Sequence, residues 1–332
     1  LERRSTGDYK FFKMPNVSVV RYRVGGALRF FVDIPLIALR YQPDIIHTQY
    51  FLPIKLFYKS LRHVSIHDVL FEDFPQFYSW RYRFPRKIMF RTSAKNADIL
   101  TSISTYSRER IQFHYKPEVD IRFFPMGLMS EDLDIGVPSD LAVPNQFLLY
   151  VSRFELRKNH DVLLRAMTQL IVDRPEIQLV FVGFDVDGTL DDLKMKIIDS
   201  NLEKNVVILS GISDAHLRHL YQTASTVVYP SFCEGFGIPI IESLMLNPNT
   251  YFSGTTAMAE FDFAHQNMFD PYDDSSVINA IQKGLSCDPG GIVAHDMRNK
   301  FVTAISKRFT WRLAADKLAL VYREAVEHDN QK

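Results

Sequence analysis

The chain has 332 residues, with 39 Lys+Arg against 39 Asp+Glu, 46% hydrophobic content and two cysteines. This length allows two domains, and the composition is that of a globular protein rather than a disordered chain. Cys233 and Cys287 exclude a disulfide framework and fit a reducing compartment. No run of about 18 apolar residues offers a transmembrane helix. The opening residues, Leu1-Glu2-Arg3-Arg4, do not resemble a signal peptide. Leu1 in place of Met gives the expectation that the natural N-terminus is missing.

The zero net charge is unevenly spread. Residues 1–120 carry 20 Lys+Arg and 11 Asp+Glu, a net of +9, and the remainder carries 19 and 28, a net of −9. The basic half suits an anionic surface or substrate.

In chain order, Val17–Tyr22 alternates weakly and predicts a strand, and Ala27–Leu39 predicts a helix after Gly25-Gly26. Asp44–Thr48 reads as a strand and Pro53–Lys59 as a helix. Val64–Asp68 reads as a strand that ends in the polar pair His67-Asp68. Tyr78–Lys95 is basic and aromatic. Ala97–Ser102 is a strand, Ser104–Tyr115 a capped helix and Ile121–Phe124 a strand. Residues 129–145 read as a linker. The pattern then restarts with strands at Phe147–Val151, Leu179–Val182, Val206–Leu209, Thr226–Val228 and Thr250–Ser253. Helices are predicted at His160–Ile171, Leu190–Ser200, Asp214–Thr223, Ser275–Gly284 and Leu313–His328. Strands alternating with helices imply open parallel sheets, whose ligands bind outside the carboxyl ends of the strands. His67, Arg153, Gly183 and Glu234 fall at such ends.

Residues 226–242 carry the densest chemistry. After the strand, Glu234-Gly235-Phe236-Gly237 makes a tight turn, and Pro239 fits the first turn of a helix with Ile240, Ile241, Leu244 and Met245 on its apolar face. Such a turn aims backbone N–H groups and a positive helix end at an anion. Glu234 and Glu242 bracket the turn, and carboxylates beside a phosphate suit sugar hydroxyls. An ordinary strand–loop–helix with two solvated glutamates fits this spacing equally well. Arg153 and Lys158 share one loop and offer a fork and a point charge for a diphosphate, with Arg157 as the nearby competitor. His67 suits a sugar hydroxyl or a proton shuttle; His47 has a weaker case. Gly25-Gly26 lacks dinucleotide spacing and reads as a plain turn. Asp185-Val186-Asp187-Gly188 lacks calcium-loop ligands and reads as a loop. Tyr78–Lys95 fits either an interfacial helix or a helix with snorkelling arginines.

Taken together, these residues resemble the GT-B retaining glycosyltransferases of family 4. Glu234-Gly235-Phe236-Gly237-Ile238-Pro239-Ile240-Ile241-Glu242 resembles that family's paired-glutamate motif. Arg153 and Lys158 resemble its diphosphate-binding pair, and His67 its first-domain histidine. Gly254 to Glu260, Phe269-Asp270-Pro271 and Phe309-Thr310-Trp311 fit its later landmarks.

The resemblance implies two Rossmann-like domains facing across a cleft. Residues 1–140 would form the acceptor side and 141–310 the nucleotide-sugar side, with 311–330 a helix crossing back. It implies that Glu234 binds the transferred sugar and that the backbone of Gly235, Phe236, Gly237 and Ile238 holds sugar and phosphate. Glu242 would hold the ribose, Arg153 and Lys158 would neutralise the departing diphosphate, and His67 and Asp68 would act from the opposite domain, with Gly183 lining the donor site. The donor would be a nucleotide-diphosphate sugar, GDP-mannose preferred over a UDP-sugar, with no metal and no other cofactor required. The acceptor would be a glycan or lipid-linked molecule in polysaccharide biosynthesis, and no nucleic acid would bind. The expected place is cytoplasmic, with peripheral contact on the inner face of the membrane through the basic first domain.

Two departures stand out. Nothing before Val17 supplies a hydrophobic first strand, which gives the expectation of a first domain lacking its N-terminal strand. Leu246-Asn247-Pro248-Asn249 replaces a small glycine turn, with Asn expected to take the left-handed cap. The missing strand also motivates an alternative reading, a catalytically impaired nucleotide-sugar-binding protein of the same fold. A nicotinamide-dependent oxidoreductase is disfavoured by the absent dinucleotide fingerprint.

Overall fold

A computed structural model describes residues 15–128, 144–186, 188–287 and 291–331. The predicted linker falls almost wholly outside these residues, as does any strand before residue 15. Two parallel sheets organise the chain. The first is built from β1 (Ile45–Gln49), β2 (Leu61–Ser65), β3 (Ile99–Ser102) and β4 (Ile121–Phe123), in that order. The second runs β10-β9-β8-β5-β6-β7, with β5 at Phe147–Val151, β6 at Gln178–Val182 and β7 at Val206–Leu209. Its other half is β8 (Thr226–Tyr229), β9 (Thr250–Ser253) and β10 (Met268–Phe269). Phe147, Leu148, Leu149 and Tyr150 of β5 are all buried, the continuous apolar run that a central strand covered on both faces requires.

In the second sheet the chain runs outward from β5 through β6 to β7, then returns to place β8 on the other side of β5. The crevice between β5 and β8 is therefore a topological switch point, where the loops leaving two adjacent strands diverge and admit a ligand.

The helices are α1 (Asp33–Tyr41), the single turn α2 (Leu70–Asp73), α3 (Trp80–Asn96), α4 (Thr105–Tyr115), α5 (His160–Asp173), α6 (Thr189–Asp199), α7 (Asp214–Thr223), α8 (Ile238–Leu246), α9 (Asp274–Leu285), α10 (Ile292–Arg308) and α11 (Trp311–Asn330). α11 lies against the first sheet. The Tyr322 hydroxyl hydrogen-bonds His47 Nδ1 at 2.7 Å and His63 Nδ1 at 3.2 Å, and Glu324 pairs with Arg122 at 3.2 Å.

Four local expectations are corrected. Val17–Tyr22 is chain outside both sheets, its weak alternation finding no neighbouring strand among the described residues. The helix expected over Ala27–Leu39 is split into a 3-10 turn, Gly26–Phe30, and α1. The Asp33 carboxylate accepts the N–H groups of Arg23 and Val24 at 2.7 and 2.8 Å, tying the incoming chain to the start of α1. Pro53–Lys59 is irregular, because its apolar residues have no common buried face: Phe57 is 95% exposed while Tyr58 is buried. Asn247 has extended backbone (φ −139°, ψ 110°) and ends α8 with its side chain instead. Its amide donates to the carbonyls of Tyr221 and Ala224, and its oxygen accepts from the Asn249 N–H.

Candidate active site

β8 is a buried β-branched strand stopped by Pro230, and the turn after it leads into α8. Gly237, at φ +110°, is the N-cap of α8, and Pro239 occupies its first turn. Among the described residues no hydrogen-bond acceptor meets the N–H groups of Gly235, Phe236 and Gly237, so the turn presents backbone donors at a helix N-terminus. The Phe236 side chain turns inward, edge-on to Phe261 and Phe309, which anchors the turn to the core.

The loop leaving β5 arrives beside this turn and sets up a chain of ion pairs. Arg153 Nε pairs with Glu155 Oε1 at 3.0 Å, and Arg157 Nε with Glu155 Oε2 at 2.7 Å. Arg157 Nη1 donates to Glu234 Oε2 at 2.9 Å and Lys158 Nζ to Glu234 Oε1 at 2.5 Å. Burial opposes charge on Glu234, but Lys158 and then Arg157 outweigh it and hold the carboxyl at about 2. Burial pulls Lys158 below its ordinary range against the attraction of Glu234. The Glu234 backbone N–H donates to Thr256 Oγ1 at 3.0 Å, and Thr256 adopts the left-handed region at φ 52°. A β-branched residue there is strained, and the strain sits one hydrogen bond from Glu234.

Across the cleft, His67 and Asp68 lie just beyond the carboxyl end of β2. Asp68 reaches the turn: a Cβ on Gly235 would lie 2.8 Å from Asp68 Cβ and Oδ2, so only glycine admits this approach. Burial raises the Asp68 carboxyl above its usual range. His67 is lowered by burial and lies against Tyr50, ring centroids 5.0 Å apart. Glu260, after β9, accepts the N–H groups of Thr105 and Tyr106 at 3.1 and 2.6 Å, clasping the N-terminus of α4 from the other side. Phe77 and Phe232 stack across the same gap with centroids 5.5 Å apart. Beside these contacts opens a cleft of about 710 Å³ whose lining includes Tyr50, Asp68, Tyr78, Tyr82, Arg153 and Arg157.

Lys158, Glu234, Gly235 and Asp68 thus converge, with Arg153 joined to them through Glu155. Glu242 lies apart, one turn into α8, where burial and then Asp214 of α7 raise its carboxyl and Arg218 lowers it. Gly183 has a packing reason: a Cβ there would overlap the Ser152 carbonyl oxygen at 1.8 Å. Arg157, noted in the sequence only as a competitor, proves to be the buried partner of Glu234, whereas Arg153 is 48% exposed. Glu155 and Thr256 had no signal in the sequence, since their roles depend on pairings across the loops. Among the described residues no group of three or more His, Cys, Asp or Glu side chains is placed to hold a metal ion.

Two facing parallel α/β domains with a switch-point cleft define the GT-B class. A family profile described as "Glycosyl transferases group 1" matches residues 138–308, and one described as "Glycosyltransferase Family 4" matches residues 8–130. The chain belongs to the group 1 glycosyltransferases and is a glycosyltransferase. It is 26% identical over 300 residues to the O-antigen chain mannosyltransferase B of Escherichia coli, covering 86% of this chain and 76% of that one. It is 26% identical over 185 residues to the GDP-mannose:cellobiosyl-diphosphopolyprenol alpha-mannosyltransferase of Komagataeibacter xylinus, spanning 55% of this chain and about half, 46%, of that relative. Among solved structures, the sucrose-phosphate synthase of Thermosynechococcus elongatus shares the fold, with a TM-score of 0.73, 22% identity and coverage of 88% and 76% of the two chains.

Proposed function

We propose that the protein transfers a hexose, mannose from GDP-mannose preferred, from a nucleotide-diphosphate sugar to a glycan or lipid-linked acceptor, with retention. The observation that carries this reading is the ion-pair chain at the switch point. Arg153 and Lys158 stand where a diphosphate reaching the α8 N-terminus meets fixed positive charge, which stabilises the leaving group as its charge develops. Glu234 accepts the sugar's hydroxyls, Glu242 the ribose hydroxyls, and His67 and Asp68 approach from the opposite domain. The acceptor attacks from the face the diphosphate leaves, and the leaving phosphate helps take its proton. The cations of the loop supply the charge that a metal would otherwise provide. Preference for mannose rests on the two mannosyltransferase relatives, one of which is named for GDP-mannose.

Peripheral membrane contact belongs to the same reading. α3 exposes Trp80 (69%) and Phe84 (63%) among Arg81, Arg86, Lys87 and Arg91, an arrangement suited to an anionic lipid surface. Flotation with phosphatidylserine vesicles should show binding that salt weakens; no binding at low salt would remove this part.

The transfer itself is tested by mass spectrometry of products formed from a panel of GDP- and UDP-sugars and glycan acceptors. A mass gain of one hexose from GDP-mannose, with NMR showing the donor's anomeric configuration, is expected. Transfer only from another donor, or an inverted product, would overturn the donor or the stereochemical assignment.

A further inference from the structure

Both carboxylate oxygens of Glu234 are engaged by cations, and the two cations are held very differently. The Lys158 ammonium makes one contact, Nζ to Oε1, while its backbone carbonyl accepts from the Tyr150 hydroxyl at 2.8 Å and its N–H donates to the Glu155 carbonyl at 3.0 Å. The Arg157 guanidinium is held at three points, and its backbone carbonyl at a fourth. Its Nε bonds Glu155 Oε2, its Nη1 bonds both Glu234 Oε2 and the Cys233 carbonyl at 3.0 Å, and its own carbonyl accepts the Phe232 N–H at 2.9 Å. Side chain and backbone of one residue are thus stitched to both ends of the 232–234 segment. The guanidinium is 9% exposed, and a planar fork with every contact buried loses several bonds at once if it moves. A lysine ammonium on its flexible stem can change partners at far lower cost.

The charge count points the same way. Arg153, Arg157 and Lys158 face Glu155 and Glu234, three cations against two carboxylates, and burial raises the neighbouring Asp68 carboxyl toward its neutral form, so the ion-pair chain keeps a positive charge that an anion satisfies. Arg153 is the most exposed of the three cations, and Arg153 and Lys158 each have a single carboxylate partner where Arg157 has two.

We propose that Arg157, braced by Glu155, is the positioning residue for Glu234, fixing one carboxylate oxygen while Lys158 exchanges the other for the diphosphate of the donor. The exchange frees Glu234 Oε1 to accept from the sugar at the moment the phosphate arrives. Glu155 divides its two oxygens between Arg153 and Arg157, so it links the exposed cation to the buried one. This inference rests on the nucleotide-sugar reading above.

The test compares equilibrium binding of GDP and UDP by calorimetry with turnover at saturating donor, for Arg157→Gln, Arg157→Lys, Glu155→Gln and Lys158→Gln. Arg157→Gln should bind the nucleotide within about 3-fold of wild type while turnover falls about 10- to 100-fold, the worth of one or two charged hydrogen bonds. Arg157→Lys should recover part of that loss. Lys158→Gln should instead weaken nucleotide binding about 10-fold or more. If Arg157→Gln does not fold, Glu155→Gln, which leaves the Arg157–Glu234 pair in place but also frees Arg153, should lower turnover about 3- to 10-fold without the loss of nucleotide affinity expected of Lys158→Gln. The inference is overturned if Arg157→Gln loses nucleotide affinity as Lys158→Gln does, since Arg157 would then be a phosphate ligand. It is also overturned if Arg157→Gln or Glu155→Gln turns over as wild type. A wild-type chain that binds neither GDP nor UDP would overturn the site reading itself, and this inference with it.

Discussion

Glu234 is 15% exposed at its side chain, yet it is charged, because two cations from one loop converge on it. Its folded carboxyl sits at about 2 against an ordinary 4.5, so the charged form stabilises the fold at every pH above about 4.5. That contribution is lost as pH falls toward about 2, and the shift bounds it at about 3 kcal/mol. Chemical denaturation between pH 5 and 2 should show wild type losing stability relative to Glu234→Gln; parallel curves would contradict the pairing. Glu234→Ala, which leaves Lys158 without its carboxylate and Arg157 with Glu155 alone, should lower transfer by about 100-fold or more, while circular dichroism shows the fold intact. The glutamate was legible in the sequence because its spacing to Gly235, Gly237 and Pro239 is local. Its true partners were not, since Arg157 and Arg153 read alike as charges in one loop and only burial separates them.

At the scale of elements, β8, the turn and α8 form one unit. Ile240, Ile241 and Leu244 of α8 are buried against the second sheet's core, and truncating Ile241 to Ala should cost about 2–5 kcal/mol in a denaturation experiment. Gly235→Ala acts differently. Its Cβ meets Asp68 rather than the helix core, so it should lower transfer while shifting the melting temperature little; full activity would show that the close approach is dispensable. Strands and helices of the second domain were readable because β-branched runs and capped amphipathic stretches alternate there. α10 was not: Ile292 and Val293 at its start are exposed, and its buried residues Ala294, Phe301 and Ile305 are too sparse for a clear period. The first domain misled at Val17–Tyr22 and Pro53–Lys59, where apolar residues occur without a face to bury.

At the scale of the whole molecule, the two facing sheets are joined near the cleft by polar and aromatic contacts. Glu260 on the α4 N-terminus, Asp68 on Gly235 and the Phe77–Phe232 stack join the domains on the cleft side, and Tyr322 joins α11 to the two histidines of the first sheet. Glu260→Gln keeps an acceptor but loses the charge, and should raise the donor KM several-fold with little loss of melting temperature, as a domain-closing contact would. The two-domain plan was legible from the restart of the strand–helix pattern, but not these contacts, which lie up to 275 residues apart in sequence. The proposed role of the switch-point cations is to receive the donor's diphosphate. Calorimetric titration of GDP into wild type and Lys158→Ala tests it most directly. Wild type should bind GDP measurably, and the variant about 10-fold or more weakly; equal affinity in the two proteins would contradict a diphosphate role for Lys158.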